Sequence, residues 1–126
     1  MHAKVVVVGS LNMDLVARAQ RLPRAGETLP GEAFFTVPGG KGANQAVAVA
    51  RLGGSVAMIG NVGDDAYGQQ LRKALEVEGI DCQAVSVCEG VSSGVALITV
   101  DAASQNCIVI IPGGNGLLTP QAVQRF

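Results

Sequence analysis

The run Val37-Pro38-Gly39-Gly40-Lys41-Gly42-Ala43-Asn44-Gln45-Ala46 sets a glycine-rich turn directly before an alanine-rich helix that opens with Lys and Asn. Glycines let the main chain approach a ligand without Cβ obstruction. The first N–H groups of a helix lack intrahelical acceptors, and that end carries partial positive charge. Lys41 and Asn44 add side-chain donors on the first turn, three residues apart and therefore on neighbouring faces. A polar pocket is expected there. The plainer reading is a tight turn at Gly39 and Gly40 with Lys41 in water.

Two phosphate-binding patterns fail on this segment. A Walker A loop has four residues between its first Gly and the Gly-Lys pair, then Ser or Thr, but Phe35 and Gly42 occupy those places. A dinucleotide fingerprint starting at Gly40 requires a small residue where Gln45 stands, and has to follow the first strand directly. A Rossmann-type oxidoreductase domain therefore ranks low.

Upstream, Val5-Val6-Val7-Val8 reads as a buried parallel strand running into Gly9-Ser10-Leu11-Asn12-Met13-Asp14. Ligands of open α/β sheets gather at that end of a strand. If 12–14 is extended, Asn12 and Asp14 share one face and Met13 takes the other. An ionised Asp offers two acceptor oxygens and Asn offers a donor and an acceptor, an inventory that suits a polyol. An Asx-turn, with both side chains bonded to local main chain, is the alternative.

Together, Gly9 to Asp14, the interrupted Pro-Gly-Glu-Thr of Pro23 to Thr28, Gly39 to Ala46, Gly-Asp-Asp-x-x-Gly at 63–68 and Gly94 to Ile98 resemble the ribokinase-like family of carbohydrate and nucleoside kinases. Gly-Gly-Lys-Gly-Ala-Asn is the most specific piece, and the resemblance runs from about Val5 to the end. It implies an α/β fold, a mainly parallel sheet flanked by helices with a small β lid, and a sugar such as D-ribose as substrate. Asn12, Asp14, Gly40, Lys41 and Asn44 would bond the sugar hydroxyls, while Ala96 and Ile110 would line the apolar side. Met13 stands where relatives often carry a smaller residue, which leaves the pocket's shape open. The resemblance also implies MgATP as co-substrate, allows for potassium as a monovalent cation, and allows for a homodimer through the β lid. Deoxyribose or another sugar is the nearest rival substrate, and a non-catalytic sugar-binding fragment is a rival of another class.

Hydrophobic residues make up 48% of the 126, enough for one core and not for two domains. A net charge of −1 offers no electrostatic case for nucleic acid or an acidic membrane. Cys82, Cys88 and Cys107 lack C-x-x-C spacing and lie in apolar segments, as expected of buried thiols in a reducing, cytoplasmic compartment. His2 is the only histidine, so a His-based triad or multi-His zinc site is excluded. A signal peptide is not expected, since the Val run is short and lacks a small-residue cleavage site, and no apolar window reaches membrane length.

Patterning predicts a strand over 4–8, two pairing strand-like pieces over 15–19 and 32–37, and a helix over 42–52 closed by Gly53. A strand over 55–59, a loop over 60–65 and a helix over 66–78 follow, the helix capped by Asp65 and closed by Gly79. A strand over 83–87 and a hairpin of 94–100 with 106–111 complete the pattern. The segments at about 15–37 and 94–111 are expected to form one lid. Asp64 and Asp65 read as capping and loop residues, because no third metal ligand lies nearby.

Thr119-Pro120 is a strong helix start, yet the chain stops at Phe126, so a truncated chain is expected. The family's Gly-x-Gly-Asp helix start is absent, since the only Gly-Asp, Gly63-Asp64, follows Asn61-Val62. By resemblance the catalytic base and ATP site would lie beyond Phe126. The 126-residue chain alone would then be inactive and marginally stable, with Val5 to Val8 and Val56 to Ile59 open to water.

Overall fold

The computed structural model describes residues 3–126. His2 lies outside them. Eleven elements follow in order: β1 (Val5–Val8), β2 (Asn12–Arg18), β3 (Ala33–Gly39), α1 (Lys41–Arg51), β4 (Val56–Gly63), α2 (Ala66–Glu76), β5 (Asp81–Cys88), β6 (Gly94–Val100), β7 (Asn106–Ile111), a 3₁₀ turn (Gly113–Leu117) and α3 (Pro120–Gln124).

The strands divide into a three-stranded parallel sheet, order β1-β4-β5, and a four-stranded sheet, order β3-β2-β6-β7. Both crossovers of the parallel sheet step in one direction, and right-handed crossovers then put both helices on one face. The core confirms this arrangement: Ala43 and Ala46 of α1 and Leu71 and Leu75 of α2 pack with Val7, Val56, Met58 and Val85. Small side chains on α1 allow the close helix-to-sheet approach that the sequence implied. In the second sheet β2 pairs parallel with β6, while β3 and β7 flank them antiparallel. Pro38 is accommodated because β3 is an edge strand.

Local signals place the helix ends well. Asp65 Oδ1 accepts from Gly68 N at 2.8 Å, and Gly53 and Gly79 take φ of 87° and 80° after α1 and α2. Thr119 Oγ1 accepts from Ala122 N at 3.1 Å and caps α3.

Four expectations are corrected. β1 is not buried: Val7 is 8% exposed, but Val5, Val6 and Val8 are 39–48% exposed, since β1 is an edge strand with helices on one face only. Val56 to Ile59, expected to face water, are buried throughout because β4 is the central strand between β1 and β5. The loop placed over 60–65 is mostly strand, for β4 runs to Gly63 by pairing Gly60 to Gly63 with Val85 to Cys88 beyond a register shift. Likewise β2 begins at Asn12, not Leu15, because it gains β6 and β3 as partners from its first residue.

The cysteines differ among themselves. Cys82 is buried and its thiol is pushed up to about 11, by burial first and then by the nearby Glu76 charge. Cys88 is half-buried and Cys107 is exposed on β7, against the expectation that all three are buried. No helix among the described residues is long and apolar enough to cross a membrane.

Amide hydrogen exchange is expected to be slowest in β4, paired on both edges and buried, and fast in β3 and β7, which have free edges and exposed faces. Equal protection in the two sheets would contradict this difference in packing.

Candidate functional site

β1 ends at Val8, and the chain turns through Gly9, Ser10 and Leu11 into β2. The start of α1 lies directly against that turn. A Cβ on Gly42 would sit 2.8 Å from the main-chain Gly9 Cα and C and from Ser10 N. Gly40 takes φ +99°, and a Cβ there would meet Asn12 N at 2.9 Å. These glycines are required where strand end and helix start share one volume. Ala43 N donates to Ser10 O at 3.0 Å, so one helix-terminal N–H is taken by the protein itself. Gly40 supplies no side-chain cap to α1.

Asn12 and Asp14 lie on one face of β2, as alternation requires, and not in an Asx-turn. Register sets Asp14 beside Ala96 on β6 and Ala96 beside Ile110 on β7, so the three form a row across the sheet. Asn12 is one row nearer the turn, beside Gly39 and Gly94. Gly39 faces Asp14 so closely that a Cβ there would stand 2.8 Å from Asp14 Oδ2. Ala96 is buried at 6% exposure, whereas Ile110 is 62% exposed, leaving the apolar side open at its outer edge. Lys41 and Asn44 are exposed on the first turn of α1. All seven predicted site residues therefore gather around the turn after β1 and one face of the second sheet.

Asp14 is half-buried, and no hydrogen bond or ion pair reaches its carboxylate among the described residues. Burial pushes its carboxyl above the ordinary value of 3.8. Asp65 behaves oppositely. Burial raises it, but bonds from Ser93 Oγ at 2.6 Å, Ser93 N at 2.8 Å and Gly68 N outweigh burial and hold it below its ordinary value. Asp64 Oδ2 accepts from Gly90 N at 2.9 Å. Both carboxylates of the Asp64-Asp65 pair are thus engaged in loop and cap structure.

Met13 is 1% exposed in the core on the opposite face of β2 from Asp14. Alternation set it on that face, and its size therefore bears on the core and not on the face that carries Asp14. Two polar residues escaped the sequence reading. Ser93 ties Asp65 to Gly63 N at 2.9 Å. Asn115 accepts from Leu11 N at 3.0 Å and donates to Leu11 O at 3.0 Å and Asn12 Oδ1 at 2.8 Å. The only available signal was an Asn after paired glycines, Gly113-Gly114, and nothing local links it to Leu11, 104 positions earlier.

A family model described as pfkB family carbohydrate kinase matches residues 2–126. Among curated proteins, the chain is 47% identical over 116 residues to the ribokinase of Bacillus subtilis, covering 92% of this chain and 39% of that protein. It is 44% identical over 121 residues to the deoxyribokinase of Salmonella typhi, covering 96% of this chain and 40% of that protein. Among solved structures, the ribokinase of Giardia lamblia superposes with a TM-score of 0.89 at 35% identity, covering 98% of this chain and 37% of that one. The Arabidopsis thaliana ribokinase complexed with ribose and ATP gives 0.82 at 36%, covering 91% of this chain and 38% of that one. The chain spans about two fifths of the length of these relatives. With its fold, its glycine turn and its whole described length matched in this way, the chain belongs to the pfkB family of carbohydrate kinases.

Proposed function

We propose that this chain forms the sugar-binding part of a cytoplasmic ribokinase, which transfers the γ-phosphoryl group of MgATP to the 5-hydroxyl of D-ribose. The unpartnered Asp14 carboxylate carries this reading. It stands half-buried in one row with apolar Ala96 and Ile110 and beside the glycine turn that presents Lys41 and Asn44. A carboxylate desolvated without a partner is costly in an apo fold, and a sugar diol supplies two hydroxyl donors to it. Asn12, Lys41 and Asn44 add donors, Gly40 admits the ligand to the main chain, and Ala96 with Ile110 meets the carbon face of the ring. A solved relative described as complexed with ribose and ATP supports both substrates.

Phosphoryl transfer depends on in-line positioning and on stabilising charge at the transferring group, so these residues hold the acceptor and do not move a proton. The segments at about 15–37 and 94–111, joined as one sheet through β2 and β6, act as a lid that excludes water as a competing acceptor. The exposed Phe34, Leu97 and Val109, on the sheet face opposite Asp14, support pairing of two lids in a homodimer. The one adjacent carboxylate pair, Asp64-Asp65, does not fit a magnesium site, because main-chain and Ser93 donors occupy it. No residue of this chain is assigned to the nucleotide, magnesium or potassium. The deoxyribokinase relative at 44% identity favours 2-deoxyribose as the second reading.

In calorimetric titration, Asp14→Asn is expected to weaken D-ribose binding on the order of 10- to 100-fold, the worth of charged hydrogen bonds. Unchanged affinity would return Asp14 to a purely local role. Running 2-deoxyribose in parallel separates the two substrates.

The same substitution is expected to raise thermal stability at neutral pH. A carboxyl whose folded value is raised contributes stability below its unfolded value of 3.8 and loses it as pH rises through the folded value. The gain in Tm from Asp14→Asn should therefore appear at pH 7 and vanish near pH 3. A gain of equal size at both would exclude desolvation as its cause.

A coupled assay for ADP release, with ribose and MgATP on the 126-residue chain alone, should show no ribose-dependent turnover. Turnover abolished by Asp14→Asn would overturn the assignment of Asp14 to ground-state binding alone.

A further inference from the structure

The carboxamide of Asn115 has its orientation dictated by main-chain chemistry. Leu11 N–H requires an acceptor and meets Oδ1 at 3.0 Å, while Leu11 C=O requires a donor and meets Nδ2 at 3.0 Å. Turning the group over would set N–H against NH₂ and oxygen against oxygen. The same Nδ2 makes its second bond, at 2.8 Å, to the carboxamide of Asn12. Only an acceptor can occupy that place, so Asn12 is held with Oδ1 toward Asn115. Its Nδ2, which makes no hydrogen bond among the described residues, is the group left for a ligand.

The turn that carries Asn115 is hydrogen-bonded on both sides. Gly114 N donates to Ser92 O at 2.8 Å, and Asn61 Nδ2, in a buried residue, donates to Gly114 O at 3.1 Å. Gly94 lies beside Asn12 in the register, and any Cβ there would overlap both Asn115 Nδ2 and Asn12 Oδ1. The absence of a side chain at 94 keeps the path between the two carboxamides clear.

We propose that Asn115 is a positioning residue that sets the donor–acceptor polarity of the site, holding Asn12 as a donor beside Asp14 as an acceptor. This rests on the reading of that face as a sugar site and adds a specificity to it. A donor next to a carboxylate fits neighbouring hydroxyls, one receiving from Asn12 and the others giving to Asp14, and rejects a ligand that places a carbonyl oxygen against Asp14.

The test is a double-mutant cycle on the 126-residue chain, titrated with D-ribose: wild type, Asn12→Ala, Asn115→Ala and the double variant. Each single change is expected to weaken binding about 3- to 10-fold, and the double variant should bind no more weakly than Asn12→Ala alone. Additive losses would show that Asn115 acts only on stability, and overturn the proposal. A second measurement needs no sugar. Side-chain amide exchange by NMR should find the Asn115 NH₂ protons at least about tenfold slower than those of Asn12, with Asn12→Ala accelerating them. The reverse order would overturn the orientation. Failure of the wild-type chain to bind any sugar would count against the sugar reading, and the exchange order would still decide whether Asn12 is held as a donor.

Discussion

Main chain touches main chain where the turn after β1 meets the first turn of α1, and both sheets take their positions from that seam. Gly9 and Gly42 face each other so closely that a Cβ on either would lie within 2.9 Å of the other's Cα. Gly40 passes Ser10 and Asn12 with a φ that L side chains rarely adopt. Through the seam, β1 of the parallel sheet continues into β2 of the second sheet, and β3 returns into α1, which covers the first. Five of the seven candidate site residues, Asn12, Asp14, Gly40, Lys41 and Asn44, lie within five positions of this contact. A side chain in the seam would separate the layers and disperse the site together.

Two aspartates show how the fold distributes electrostatic cost. Asp65 receives three donors and joins α2 to the segment before β6, so its burial is compensated. Asp14 is desolvated with no donor among the described residues, and its carboxyl is raised accordingly. Structure alone does not need such a group. Its position in one row with Ala96 and Ile110, at a strand's start beside the glycine turn, is what makes it the candidate for ligand binding, where Asp65 is engaged in loop and cap structure.

The two sheets divide the work in the same way. β4, paired on both edges and wholly buried, anchors the core, while β3 and β7 leave edges and apolar faces open. Asn115 crosses between them. It is carried by a turn packed on β4 through Asn61, yet its side chain ends on Leu11 and Asn12 at the start of β2.

Much of this was legible before any coordinates, wherever the physics is local. A Gly at a helix end announces positive φ, as Gly53 and Gly79 do, and Asp65 two residues past Gly63 announces a cap. Alternation alone set Asn12 and Asp14 on one face, and the glycine run with its Lys and Asn pointed to the candidate site. Other features were decided by partners remote in the chain. The exposure of Val6 and Val8 follows from β1 being an edge strand, the extension of β4 through Gly60 to Gly63 follows from β5, and the exposure of Cys107 follows from β7 having a free edge. The amino-acid sequence by itself determined the α/β class, the turn geometry, the caps and the residue types offered at the site, because φ preference, side-chain period and hydrogen-bonding inventory belong to each residue and its near neighbours. The tertiary structure decided which strand is central, which carboxylate is left without a donor and which way the Asn12 carboxamide faces, because each depends on groups brought together from as far as 104 positions apart.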